Sequence, residues 1–191
     1  MDYTILVNKE NPLPSNYVPA NLVEYTEYNG EKIDVNYKTF VEKETLKSFF
    51  EMQKDALVQG YGLIIDSGYR SYDYQEQILS YNLEMLGQEA YKVIAKPGTS
   101  EHQSGLAIDI ALNTGGIYND NFDDSYAEII WLHQNCYKYG FILRYPKNKE
   151  HITGFNYEWW HLRYVGKKIS NYMFENNIST LEEYHLLNLT K

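Results

Sequence analysis

Apolar residues recur along the chain at two periods. Between Val41 and Gln59, Leu46, Phe49, Phe50, Ala56 and Leu57 fall at helical spacing, with Gly60 next as a stop signal. Tyr61 to Asp66 carries the short apolar run Gly62-Leu63-Ile64-Ile65, which predicts a buried strand. Ser71 is placed to cap a second helix, Tyr72 to Leu86, with the stripe Ile78, Leu79, Leu83 and Leu86 and a closing Gly87. Pro97-Gly98-Thr99-Ser100 predicts a turn, after which Gly105 to Leu112 alternates strictly. Leu106, Ile108, Ile110 and Leu112 make one face of that strand, and Gly105, Ala107, Asp109 and Ala111 the other. Asn113 to Asp124, rich in Asn, Gly and Asp, reads as a surface loop, and its Gly115-Gly116 pair suggests a lid. Asp123, Asp124 or Ser125 then caps a third long helix reaching about Tyr139, ended by Gly140. Phe141 to Tyr145 and Trp160 to Val165 complete the set of strands.

Asn11 to Pro19 holds three of the five prolines and predicts an extended arm, residues 1–20, lying on the surface. No repeat, low-complexity tract or linker interrupts the chain, so all of 1–191 reads as one domain. Helices and strands mingle without regular βαβ alternation. That pattern predicts an α+β fold, a central antiparallel sheet flanked by helices.

Composition narrows the partners. With 17 Lys plus Arg against 26 Asp plus Glu, the net charge of −9 disfavours nucleic acid and anionic lipid. A mean hydropathy of −0.54 and the lack of an apolar run near 18 residues exclude a membrane-spanning helix. Met1 to Val7 lacks the features of a signal peptide, and the single Cys136 rules out an internal disulfide; both fit a cytoplasmic chain. Tyrosine reaches 20 residues. Arginine occurs only at Arg70, Arg144 and Arg163 while lysine carries the rest of the positive charge, which directs attention to each planar fork, although codon usage gives the same scarcity.

Asp109 is the first candidate for chemistry. A mid-strand carboxylate among Gly105, Ala107 and Ala111 is badly placed for water, so it needs hydrogen-bond donors from a neighbouring loop, a cation or a metal. His102 stands seven residues before it, and His161 opens a different strand. Two imidazoles and a carboxylate match a catalytic zinc set that leaves the fourth position to water. His133, His151 and His185 read as ordinary surface or satisfied histidines. Glu158, in E-x-x-H order with His161, is either a surface residue or a base beside the metal. Arg70, in the turn Ser67-Gly68-Tyr69-Arg70-Ser71, is either a surface ion-pair partner or a clamp for a carboxylate or oxyanion. Gln75 follows about one helical turn on. Cys136 reads as a buried small hydrophobe, and no G-x-S-x-G, P-loop or G-x-G-x-x-G motif is present.

Taken together, three segments resemble a known family. Ser100-Glu101-His102-Gln103-Ser104-Gly105-Leu106-Ala107-Ile108-Asp109 fits S-x-H-x-x-G-x-A-x-D, Glu158-Trp159-Trp160-His161 fits E-x-W-H, and Gly68-Tyr69-Arg70-Ser71 with Gln75 fits G-Y-R-S-x-x-x-Q. In this order they resemble the zinc D-alanyl-D-alanine carboxypeptidases of the VanY type, within the LAS group of peptidases with its Hedgehog-like fold. The resemblance implies one Zn2+ held by His102, Asp109 and His161, Glu158 as catalytic base and acid, and Arg70 polarising the scissile carbonyl. It also implies Ser100, Gln75 and Trp160 near the substrate, in a cleft on the sheet. The implied activity removes C-terminal D-Ala from peptidoglycan pentapeptide precursors and splits D-Ala-D-Ala, in wall remodelling or glycopeptide resistance. A chain without an anchor looks most like the cytoplasmic VanXY type; a longer extracytoplasmic or anchored protein would share the same motifs. L,D-carboxypeptidases and phage-type endopeptidases can share the zinc set, and a non-catalytic wall-binding domain is a third class.

Overall fold

The computed structural model describes residues 2–28, 31–32, 38–114, 117–119 and 123–189. Residues 2–21 form no helix or strand. They are tied down by long-range bonds: the Leu13 N–H donates to the Gly98 carbonyl at 2.8 Å, and the Gln103 amide donates to the Pro14 carbonyl at 2.9 Å. Strand β1 (Leu22–Tyr25) starts the regular structure, followed by the two-residue strands β2 (Glu27–Tyr28) and β3 (Glu31–Lys32), which pair with each other. Strand β4 (Thr39–Glu42) returns antiparallel to β1. Helix α1 (Lys43–Val58) follows without a loop because Glu42 ends the strand and caps the helix. Its Oε2 accepts the Glu44 and Thr45 N–H groups at 2.9 and 3.0 Å, satisfying donors that the first turn leaves open.

Next come β5 (Leu63–Ser67), α2 (Tyr72–Leu86) and the single turn α3 (Ala90–Val93). Strand β6 (Ala107–Thr114) and β7 (Ile117–Asn119) precede α4 (Ala127–Asn135), β8 (Phe141–Leu143) and α5 (Glu150–Thr153). Strand β9 (His161–Tyr164), α6 (Lys167–Glu175) and α7 (Leu181–Leu189) complete the order. The main sheet runs β5-β6-β9-β8, with β7 paired to the far end of β6, and every pairing is antiparallel. The protein is α+β, as its pattern predicts. Leu106, Ile108, Ile110 and Leu112 are buried and join Phe49 and Met52 of α1 with Ile129 and Leu132 of α4 in one cluster. Each such side chain contributes about 1.5–3 kcal/mol by leaving water. A second cluster, Ile142, Val165, Met173 and Leu181, seats α6 and α7 against the β8–β9 end of the sheet.

Three expectations need correction. The Asn113 to Asp124 segment is not simply a loop: Asn113 and Thr114 extend β6, and Ile117–Asn119 pairs back onto it. The Gly115-Gly116 pair invoked for a lid lies outside the described residues, as do 120–122. The third helix is shorter than predicted, since Asp123 Oδ1 accepts the Ser125 N–H at 2.8 Å, closing a local turn, and α4 starts only at Ala127. Its last turn tightens into a 3₁₀ segment, Cys136–Tyr139, before Gly140. On α2, Ser71 and Gly87 do flank the helix, with Ser71 Oγ accepting the Tyr74 N–H, but Leu86 is half exposed and the buried positions are Gln75 and Leu79.

Cys136 is buried within the main cluster, and burial pushes its thiol up to about 12. The native protein should therefore leave a thiol reagent unconsumed at pH 8 and release one equivalent in guanidinium; rapid reaction of the folded chain would contradict this burial.

Candidate metal centre

The sheet register builds the site. Asp109 of β6 sits directly opposite His161 of β9 and, on its other side, opposite Ser67 of β5. His102 arrives from the 3₁₀ turn Glu101–Ser104, which ends at Gly105 in the left-handed region (φ +72°) before the chain enters β6. Gly68 supplies the partner that orients His102. A Cβ at Gly68 would lie 2.3 Å from the Phe40 carbonyl oxygen, so only glycine allows the 2.6 Å bond from Tyr69 N–H to that oxygen. The Gly68 carbonyl accepts from His102 Nδ1 at 2.7 Å. A carbonyl can only accept, so the proton resides on Nδ1 and Nε2 keeps its lone pair.

That lone pair meets two others. His102 Nε2 lies 3.2 Å from Asp109 Oδ2, and His161 Nδ1 lies 3.2 Å from Asp109 Oδ1. One ligand atom from each residue falls within 4.8 Å of the rest. His102 Nε2 and Asp109 Oδ1 are buried without a hydrogen-bond partner among the described residues. Burial and the Arg70 cation push the His102 imidazole down to about 4, keeping it neutral near pH 7. Burial acts against ionisation of Asp109, but the flanking His102 and His161 outweigh it and hold the carboxyl well below its ordinary range. For His161, burial is outweighed by the neighbouring Asp109, Glu101 and Glu158 carboxylates, which lift it to about 9. The donors that converge here are therefore an acceptor imidazole nitrogen, an ionised carboxylate and a second imidazole, the chemistry of a cation site. Two imidazoles and one carboxylate fit zinc with an open position, whereas closed structural sites use four ligands, mostly cysteine.

The remaining predicted residues surround this point. Glu158 Oε2 stands 3.5 Å from His161 Nδ1, brought there by the turn in which His161 N–H donates to the Glu158 carbonyl. Burial raises the Glu158 carboxyl above its ordinary value although the His161 ring opposes this. Arg70 Nη2 lies 4.0 Å from Asp109 Oδ2, and its Nε is buried without a partner among the described residues. Arg70, Gln75, Ser100, His102, Glu158 and His161 line one cleft together with Tyr145 and Phe155. Gln75 donates to the Ala95 carbonyl at 2.9 Å, while its Oε1 has no hydrogen-bond partner among the described residues. Trp160 does not line this cleft: its ring is half exposed, edge-on to Trp159, and its carbonyl accepts the Ile110 N–H. His133, His151 and His185 stay outside; His133 bonds the Trp159 carbonyl and His185 the Thr4 carbonyl.

Sequence reasoning did not identify Glu101, Arg144 and Arg163 as a unit. All three are fully buried, with Glu101 Oε1 accepting from Arg144 Nε at 2.8 Å and Arg163 Nη1 at 2.6 Å. Burial alone would raise Glu101; the two guanidinium groups instead hold it far below the usual carboxylate range.

The profile described as "VanY: D-alanyl-D-alanine carboxypeptidase" matches residues 38–167, which includes every ligand-forming and cleft-forming motif above. YodJ of Bacillus subtilis (strain 168) is 46% identical over 94% of this chain and 65% of its own length. The chain spans 56–65% of the length of three curated relatives it matches. Among solved structures, the LdcB LD-carboxypeptidase superposes with a TM-score of 0.82 at 43% identity, covering 94% of this chain and 84% of its own. A Zn(II) complex of the vancomycin-resistance D,D-pentapeptidase VanY superposes with a TM-score of 0.74 at 32% identity, covering 96% and 99%. Fold, donor set and motif order agree with these likenesses: the chain belongs to the VanY family of D-alanyl-D-alanine carboxypeptidases.

Proposed function

We propose that the chain is a zinc-dependent carboxypeptidase that releases C-terminal D-Ala from peptidoglycan stem peptides, acting on the D-Ala-D-Ala end of pentapeptides. The observation that carries this reading is the convergence of His102, Asp109 and His161 with Glu158 and Arg70 at one end of a cleft. His102, Asp109 and His161 would hold zinc, which would supply a Lewis acid and a water acidified from 15.7 to about 7. Glu158 takes the proton of the attacking water at a carboxylate oxygen and passes it to the departing amine; its raised pKa suits a group that must hold that proton in between. Arg70 faces the carbonyl oxygen as it gains charge. Gln75 Oε1 and Ser100, both buried in the cleft wall, offer polar groups to the peptide.

A second reading, an L,D-carboxypeptidase that shortens tetrapeptides, is favoured by the likeness to LdcB, whose TM-score and identity exceed those of the VanY structure. Zinc ligands do not choose between these bonds; the cleft walls do. Incubation with D-Ala-D-Ala, tetrapeptide and pentapeptide, each with and without chelator, separates them. The D,D reading expects tetrapeptide from pentapeptide and no tripeptide; accumulation of tripeptide from tetrapeptide replaces it with the L,D reading. Muropeptide binding without D-Ala release at any zinc concentration would overturn both. His102→Ala should abolish stoichiometric zinc binding and turnover together, measured by metal analysis of the dialysed protein.

A further inference from the structure

Glu101 precedes one ligand in sequence and touches another in space. Its Oε1 is spoken for by two arginines, whereas its Oε2 lies 3.7 Å from His161 Nε2. Both atoms are buried, and neither has a hydrogen-bond partner among the described residues. The other nitrogen of the ring, Nδ1, faces Asp109 and Glu158. An imidazole that offers Nδ1 to a cation must carry its proton on Nε2, and in a dry setting that proton needs an acceptor. The carboxylate across the gap is an acceptor that cannot swing away. Arg144 is anchored by both oxygens of Glu182 at 2.9 and 2.7 Å, and Arg163 Nη2 by the Tyr3 and Ile5 carbonyls at 3.0 and 2.7 Å. The Tyr145 ring, 4.8 Å from the imidazole, covers another side.

We propose that Glu101 is a positioning residue for His161: when the metal is bound, its Oε2 accepts the Nε2–H, closing the gap and fixing Nδ1 as the ligand atom. The inference rests on the metal-centre reading above. Arg144 and Arg163 keep the carboxylate ionised and occupy one oxygen, so the other is directed to the ring. A carboxylate–imidazole–metal relay of this kind raises ligand basicity and locks the ring plane, and loss of such a partner typically weakens metal affinity 10–100-fold.

The test combines zinc competition titration with ¹H–¹⁵N imidazole spectroscopy of the full chain. In the zinc-loaded protein, the His161 proton should reside on Nε2, resonate far downfield and exchange slowly with water. Glu101→Asp keeps the negative charge between the arginines but withdraws it from the ring by one methylene. It should weaken zinc binding 10–100-fold and move that resonance upfield, with the zinc-free unfolding transition still cooperative. A folded Glu101→Asp protein with unchanged zinc affinity overturns the assignment, as does a His161 proton found on Nδ1 or exchanging at the solvent rate in the unsubstituted protein. The latter measurement decides the matter if the variant fails to fold. A parent protein that binds no zinc would instead sink the metal-centre reading itself.

Discussion

Glu158→Gln should retain stoichiometric zinc and the parent melting temperature yet lose about 10²–10⁴-fold in turnover. The substitution preserves volume and removes only the basic oxygen. Glu158 is not one of the three converging ligands, so the metal should stay. What disappears is the proton path, and general acid–base catalysis by a positioned carboxyl contributes that range. Metal analysis and initial rates on the preferred peptide check both halves. Near-parent turnover would remove Glu158 from the chemistry, and loss of zinc would make it a ligand instead.

The second large effect concerns stability. Arg163→Met should destabilise the zinc-free protein by about 3–5 kcal/mol, because it strips the buried Glu101 of one of its two cations. It also frees the Tyr3 and Ile5 carbonyls that Arg163 satisfies. For a chain of this size the loss corresponds to a fall in melting temperature of order 10 °C. The double variant Glu101→Leu with Arg163→Met removes the stranded charge, and Arg144 keeps its bidentate partner Glu182. Thermal unfolding in chelator should show substantial recovery in the double variant, whereas its zinc affinity should stay low. Equal melting temperatures for the parent and Arg163→Met would show that the buried ion network contributes little to folding.

Elements bounded by local chemistry were legible before the structure. Ser71 and Gly87 punctuate α2 because capping and the C-terminal turn act within three residues. The strict alternation from Gly105 to Leu112 marked β6 and singled out Asp109, since a lone carboxylate on a small-residue face violates the pattern around it. Segments held by distant partners were not legible. The β1–β4 ribbon consists of two four-residue strands whose pairing is decided by packing on α1 rather than by any period. Glu101 illustrates the limit most clearly: its partners stand 43 and 62 residues away, and no spacing rule links them. The scarcity of arginine was the available signal, for Arg70 stands beside Asp109 and both Arg144 and Arg163 pair with Glu101. Trp160 shows the converse, a motif position whose side chain the turn before β9 leaves half exposed.

The tie from Arg144 to Glu182 also has a consequence for biosynthesis. A ribosome delivers the two histidines, the aspartate and all three arginines before it delivers α7, so a nascent chain carries Arg144 with only one of its two carboxylates in hand. Docking of α7 thus completes the pairing of Arg144 only after every ligand residue already stands in the chain.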